Sequence, residues 1–122
     1  MKIRLHEIEL GTSDVQRSKS FYQSVLDLEP QVEIEGLNVF DSGTAGLDLN
    51  TSNHFPQGIV AISFIVDDLG EIERKLKSAG ISYEGPAPSH LGMNAIQFND
   101  PDGYLIKINS PVSPHVNERV AP

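Results

Sequence analysis

The five residues Leu47-Asp48-Leu49-Asn50-Thr51 are echoed far downstream by Ile106-Lys107-Ile108-Asn109-Ser110, so that an acid in one copy corresponds to an amine in the other. Near the N-terminus, Glu7 and Glu9 alternate with Ile8 and Leu10, which puts both carboxylates on one face of a strand. The same alternation sets Asn50 beside Asp48, Asn109 beside Lys107, and Ser63 beside Ala61. Carboxylates grouped with a single amine suit the binding of a small polar or cationic molecule. A carboxylate next to a lysine can also move a proton beside a carbonyl.

The elements that must carry these groups are themselves repeated. Ile8 to Asp14 followed by a helix-like run is matched by Ile62 to Asp68 and a second such run. Asp14 and Asp68 are placed to cap the two helices, and Glu71 completes an acidic capping box for the second. Leu69, Ile72, Leu76 and Ala79 form its apolar stripe, and Gly80 stops it. The first helix ends near Leu26-Asp27, with Phe21 and Tyr22 assigned to the core. Three short strands follow each helix: about 31–35, 37–41 and 45–50 in the first copy, with glycines 36 and 43 at the turns. In the second they are 81–84, 92–98 and 104–109, with a loop at 85–89 and a tight turn at Asn99-Asp100-Pro101-Asp102-Gly103.

The expected architecture is therefore α+β. Two tandem βαβββ modules, about 3–52 and 58–110, make one domain over residues 1–110, and their curved mixed sheet wraps a cavity with the helices outside. Residues 111–122, rich in proline, read as an irregular tail.

Composition narrows the function classes. The chain has 122 residues, 39% hydrophobic and 21% charged, which suits one globular domain. Without cysteine there is neither a disulfide nor a thiolate metal site. A net charge of −8 and no basic cluster argue against nucleic acid. No apolar run spans a bilayer and no secretory signal opens the chain, so a cytoplasmic protein without membrane contact is expected.

The run Ser13-Asp14-Val15-Gln16-Arg17-Ser18-Lys19-Ser20-Phe21-Tyr22-Gln23-Ser24-Val25-Leu26, with Val66-Asp67-Asp68-Leu69 and Phe98-Asn99-Asp100-Pro101-Asp102-Gly103, resembles three ordered markers of the vicinal oxygen chelate superfamily. That superfamily includes glyoxalase I, extradiol dioxygenases, fosfomycin-resistance enzymes and bleomycin-resistance proteins. The resemblance covers about residues 3–110. It implies four inward positions, one on the first and one on the last strand of each copy, where metal-using members carry His or Glu. Here those positions hold Glu7, Asp48, Ala61 and Lys107. Ala61 has no donor atom, and Lys107 brings a cation with no lone pair. The expectation is that no metal or other cofactor binds, and that Lys107 takes the place of the ion's charge and pairs with Glu7, Asp48 or both.

The ligand-binding set is thus Glu7, Glu9, Asp48, Asn50, Ser63, Lys107 and Asn109, in a polar and mildly acidic cavity. His6 is expected to turn toward the helices with Ile8 and Leu10, and Tyr104 likewise. His54, His90 and His115 read as surface residues, with His90 at the cavity mouth as an option. The facing of Phe40 and Tyr83 stays open. A metal-independent small-molecule-binding protein, acting as a homodimer, is the leading reading. The alternatives are a lyase or isomerase acting next to a carbonyl, and a metal-dependent dioxygenase or glyoxalase with shifted ligands such as His6.

Overall fold

The computed structural model describes residues 2–111, so His115 and the proline-rich tail lie outside the described residues. The class is α+β. Contacts divide the chain into two compact units, Leu5–Ser63 and Met1–Arg4 with Phe64–Pro122. Each follows the β-α-β-β-β order that the repeat implies. The dividing line falls a few residues inside the second repeat, because the backbone N–H of Gly11 donates to Ile59 O at 2.8 Å and holds that stretch to the first unit.

The first unit contains β1 (Ile3–Gly11), α1 (Val15–Leu26), β2 (Pro30–Ile34), β3 (Leu37–Thr44) and β4 (Leu47–Ser52). Its strands lie in the order β2-β3-β4-β1; β3 is antiparallel to both neighbours and β4 is parallel to β1. The register sets Glu7 opposite Asp48, Glu9 opposite Asn50 and Gly11 opposite Ser52. β3 runs beyond its expected end, through Gly43 to Thr44. The turn to β4 is made by Ala45-Gly46, and an irregularity between Asp41 and Thr44 absorbs the extra length.

α1 begins where the sequence placed it, with Asp14 Oδ1 accepting from Arg17 N at 3.0 Å. Removing that cap by Asp14→Ala is expected to cost about 1 kcal/mol in a chemical denaturation curve. Asn38, buried on β3, donates to Val15 O at 3.0 Å and Thr51 Oγ1 at 3.1 Å, so one amide ties helix to sheet. Tyr22 packs on Phe40 of β3 with ring centroids 5.7 Å apart, which turns Phe40 toward the helix. Phe21 departs from expectation. It is 51% exposed, and Val25 and Leu26 are exposed as well. Successive helical residues point about 100° apart, so with Tyr22 on Phe40 its neighbour Phe21 is carried off the contact face. No residue of α1 is fully buried.

The second unit contains the end of β5 (Val60–Val66), α2 (Leu69–Ser78), β6 (Glu84–Pro88), a 3-10 turn (His90–Gly92), β7 (Met93–Asn99) and β8 (Leu105–Pro111). The order is β5-β8-β7-β6, with β7 antiparallel to both neighbours. Asp68 caps α2 through Gly70 N at 2.9 Å. Ile72 and Leu76 drive the helix into a core with Val66, Ile96 and Ile108. Tyr83 packs against the same core and donates to Glu73 Oε2 at 3.3 Å, so it faces the helix.

Residues expected as a loop at 85–89 are instead largely strand. β6 pairs Ala87 with Ala95 and Pro88 with Asn94. Its prolines are tolerated because it is the outer strand of its unit. Gly85 passes so close to β7 that a Cβ there would meet Ala95 O at 2.5 Å. Tyr104 is 63% exposed and does not face a helix. It follows Gly103 in the turn, before the pleat of β8 begins. Among the described residues, no helix is long and apolar enough to cross a membrane.

Candidate functional site

In the first unit, β1 and β4 bring the acids together by register alone. Glu7 and Glu9 are both fully buried, Asp48 is half-buried, and Asn50 and Ser52 are fully buried alongside. A buried carboxylate is expensive to desolvate unless other groups compensate it. Here several groups converge on the pair.

His6 is one of them, contrary to the expectation that it turns away. Its Nδ1 stands 4.0 Å from Glu7 Oε2, and donor atoms of His6, Glu7 and Asp48 all lie within 4.8 Å of one another. No shift of register accompanies this, since β1 and β4 stay in step from Glu7 to Gly11. That pairing begins at Glu7, so the residue before it is not pinned by β4 and its ring can swing round to the acids.

His54 is a second correction. It was read as a surface residue, yet its Nδ1 lies 3.1 Å from Glu9 Oε2. The same oxygen accepts from Ser52 Oγ at 2.5 Å, and Ser52 Oγ in turn accepts from the backbone N–H of His54 at 3.3 Å. The segment carrying His54 is held in place by Gly11: a Cβ there would stand 2.0 Å from Pro56 O. A signal for His54 was present, because Asp48, Asn50, Ser52 and His54 share one parity. The alternation continues past the end of β4.

In the second unit, β8 presents Lys107, which is 4% exposed, and Asn109, which is fully buried. Lys107 Nζ is 3.5 Å from Nδ1 of His90 on the 3-10 turn, so His90 also belongs with the buried polar groups and is not a bystander. Both amide atoms of Asn109, both of Asn50, and Ser63 Oγ are buried without a hydrogen-bond partner among the described residues.

A model of the Glyoxalase/Bleomycin resistance protein/Dioxygenase superfamily matches residues 4–108. The chain belongs to this superfamily. A glyoxylase I 4 of Arabidopsis thaliana is 30% identical, over 93% of this chain and 76% of that protein. The metallothiol transferase FosB of Bacillus licheniformis is 27% identical, over 87% and 74%. In fold, the chain is similar to a superfamily member from Vibrio splendidus 12B01, with a TM-score of 0.64 and 21% identity over 89% of this chain and 99% of that one.

Two of the four positions that the resemblance implies carry no usual metal ligand. Ala61, fully buried, offers no donor, and the Lys107 ammonium offers no lone pair. A smaller donor set on β1 and β4 does fit: His6, Glu7 and Asp48 supply one imidazole and two carboxylates at mutual distances an ion could bridge. The expectation that the usual metal ligands are lacking is therefore not confirmed, since His6, Glu7 and Asp48 form a candidate metal group.

Proposed function

We propose that this protein binds a small polar molecule, preferentially a cationic one, on the polar faces of β1 and β4, and does so without a catalytic metal. The observation that carries the reading is the set of buried polar atoms on Asn50 and Ser63 with no hydrogen-bond partner among the described residues. Each such atom destabilises a fold by about 1–3 kcal/mol, and a ligand's own donors and acceptors would satisfy it. Glu7, Glu9 and Asp48 give the site its preference for positive charge. We further propose that the protein acts in the cytosol as a homodimer. The exposed Phe21, Val25 and Leu26 support the dimer, as an apolar helix face that a second copy would cover.

A second reading is favoured by one specific contact set. His6, Glu7 and Asp48 would hold a divalent cation, which would supply Lewis-acid polarisation of a ligand oxygen. The two readings separate in thermal melts with Ni²⁺, Zn²⁺, Mn²⁺ or EDTA, set beside melts with cationic antibiotics and polar metabolites. The first reading expects shifts from the organic ligands and none from the metal ions. A metal shift equivalent to about 2.7 kcal/mol at a hundredfold excess over Kd, abolished by His6→Ala, would replace it with the second.

A further inference from the structure

Asn50 lies between Asp48 and Ser52 on one face of β4. It is fully buried, and neither its Oδ1 nor its Nδ2 has a hydrogen-bond partner among the described residues. The register explains why its neighbours leave it so. Asn50 stands opposite Glu9 of β1 on one side and opposite Val39 of β3 on the other, and residues opposite each other in paired strands share a face. Val39 is apolar and has nothing to offer an amide. Glu9 is engaged further along, where its Oε2 accepts from Ser52 Oγ at 2.5 Å and meets His54 Nδ1 at 3.1 Å. Ser52 spends its single hydroxyl proton on that bond.

The neighbouring strand has the opposite character. Asn38 and Phe40 of β3 face α1, through Val15 O and Tyr22, so alternation sends Leu37 and Val39 to the side of the sheet that carries Asn50. Both are buried, and Leu37 lies opposite Ser52. The face therefore changes from apolar on β3 to polar on β4 within one strand spacing, about 4.8 Å. That floor suits a flat molecule with an apolar ring and a polar group at its edge. The amide of Asn50 defines the group. A carboxylate would satisfy Nδ2 and leave Oδ1 bare, and an ammonium would do the reverse. Only a donor and an acceptor side by side satisfy both, as when an asparagine reads the amino group and ring nitrogen of adenine.

We infer that the ligand held by β1 and β4 presents a primary carboxamide or a lactam to Asn50, with an apolar ring against Leu37 and Val39. The ligand N–H donates to Oδ1, and the ligand carbonyl accepts from Nδ2. This inference rests on the binding reading above and adds to its preference for positive charge the group that Asn50 selects. Selection comes from mismatch, because an analogue lacking either half leaves a buried atom of Asn50 unmet.

The test uses the full chain and three probes that share a ring and an ammonium group. These are 4-(aminomethyl)benzamide; 4-(aminomethyl)acetophenone, which keeps the acceptor without the amide donor; and 4-methylbenzylamine, which has neither. Titration calorimetry is expected to give the amide a Kd lower than that of the ketone by about tenfold or more, and Asn50→Leu is expected to bind the two equally. In ¹⁵N-labelled protein, the side-chain amide resonances of Asn50 are expected to move on saturation with the amide and to stay in place with 4-methylbenzylamine. That readout needs no variant, so it decides the matter even if Asn50→Leu does not fold. An amide bound no tighter than the ketone overturns the inference, as does a preference retained in Asn50→Leu or an Asn50 resonance unmoved by the amide. Equal binding of all three probes leaves the binding reading standing while overturning this one, and binding of none overturns both.

Discussion

Asn109→Leu is expected to make this protein more stable, with a melting temperature raised by roughly 4–10 °C. Asn109 is fully buried on β8 opposite Ala95, and both its amide oxygen and its amide nitrogen lack a partner among the described residues. Leucine has the same branching at the γ position and removes two unmet hydrogen-bonding groups, a gain of about 1–3 kcal/mol. A structural asparagine behaves in the opposite way. Asn38, which donates to both Val15 O and Thr51 Oγ1, is expected to lose stability on the same replacement. The contrast matters because residues retained at a stability penalty are those that serve binding. A lower melting temperature for Asn109→Leu would mean that its amide is satisfied in solution, and the argument from orphaned polar atoms would fail.

Gly11→Ala is expected to destabilise the protein by about 3 kcal/mol, lowering the melting temperature by roughly 10 °C. The added Cβ would lie 2.0 Å from Pro56 O and 2.7 Å from Phe55 O, both backbone atoms that have no rotamer to escape into. Either β1 or the segment after β4 must move, and Gly11 N would lose its hold on Ile59 O. Gly43→Ala is the matching control. Its φ of +86° makes alanine strained, but nothing lies within 4 Å of the new atom. The expected penalty there is only about 1–2 kcal/mol. Because the displaced segment carries His54, Gly11→Ala is also expected to weaken the bond between His54 and Glu9. The ring-nitrogen spectrum would report this independently of the melt. Equal melting temperatures for the two glycine variants would show that the close approach is not maintained.

Much of this was legible in the chain, for reasons that differ from residue to residue. Asp14 and Asp68 could be placed because an N-cap is a local event: a short acceptor, followed within three residues by the N–H it serves. The choice of Glu7 and Asp48 came from the superfamily resemblance, carried to Asp48 by the internal repeat, and the register of β1 and β4 sets the two opposite each other. Glu9, Asn50, Ser63 and Asn109, which alternation set on the same face as Glu7, Asp48, Ala61 and Lys107, are fully buried. Alternation failed at His54 through being stopped at the end of the apolar run. The fold-back that carries His54 onto Glu9 depends on Gly11 meeting Pro56, a contact no local pattern announces. His6 was misread for a related cause, since alternation describes where Cβ points and not where an unpinned ring can swing. Phe21 and β6 show the other limit. Helical periodicity does not say how much of a helix the sheet will cover, and the prolines at 86 and 88 argued for a loop until β6 proved to be an outer strand.

That placement of prolines has a consequence for self-association of the folded chain. β2 and β6 are the outermost strands of their units; Pro30 opens the first, and Pro86 and Pro88 lie within the second. An exposed strand recruits another through its row of backbone N–H groups, and each proline deletes one member of that row. Both edges are therefore interrupted templates for strand addition, which disfavours edge-to-edge pairing of folded chains.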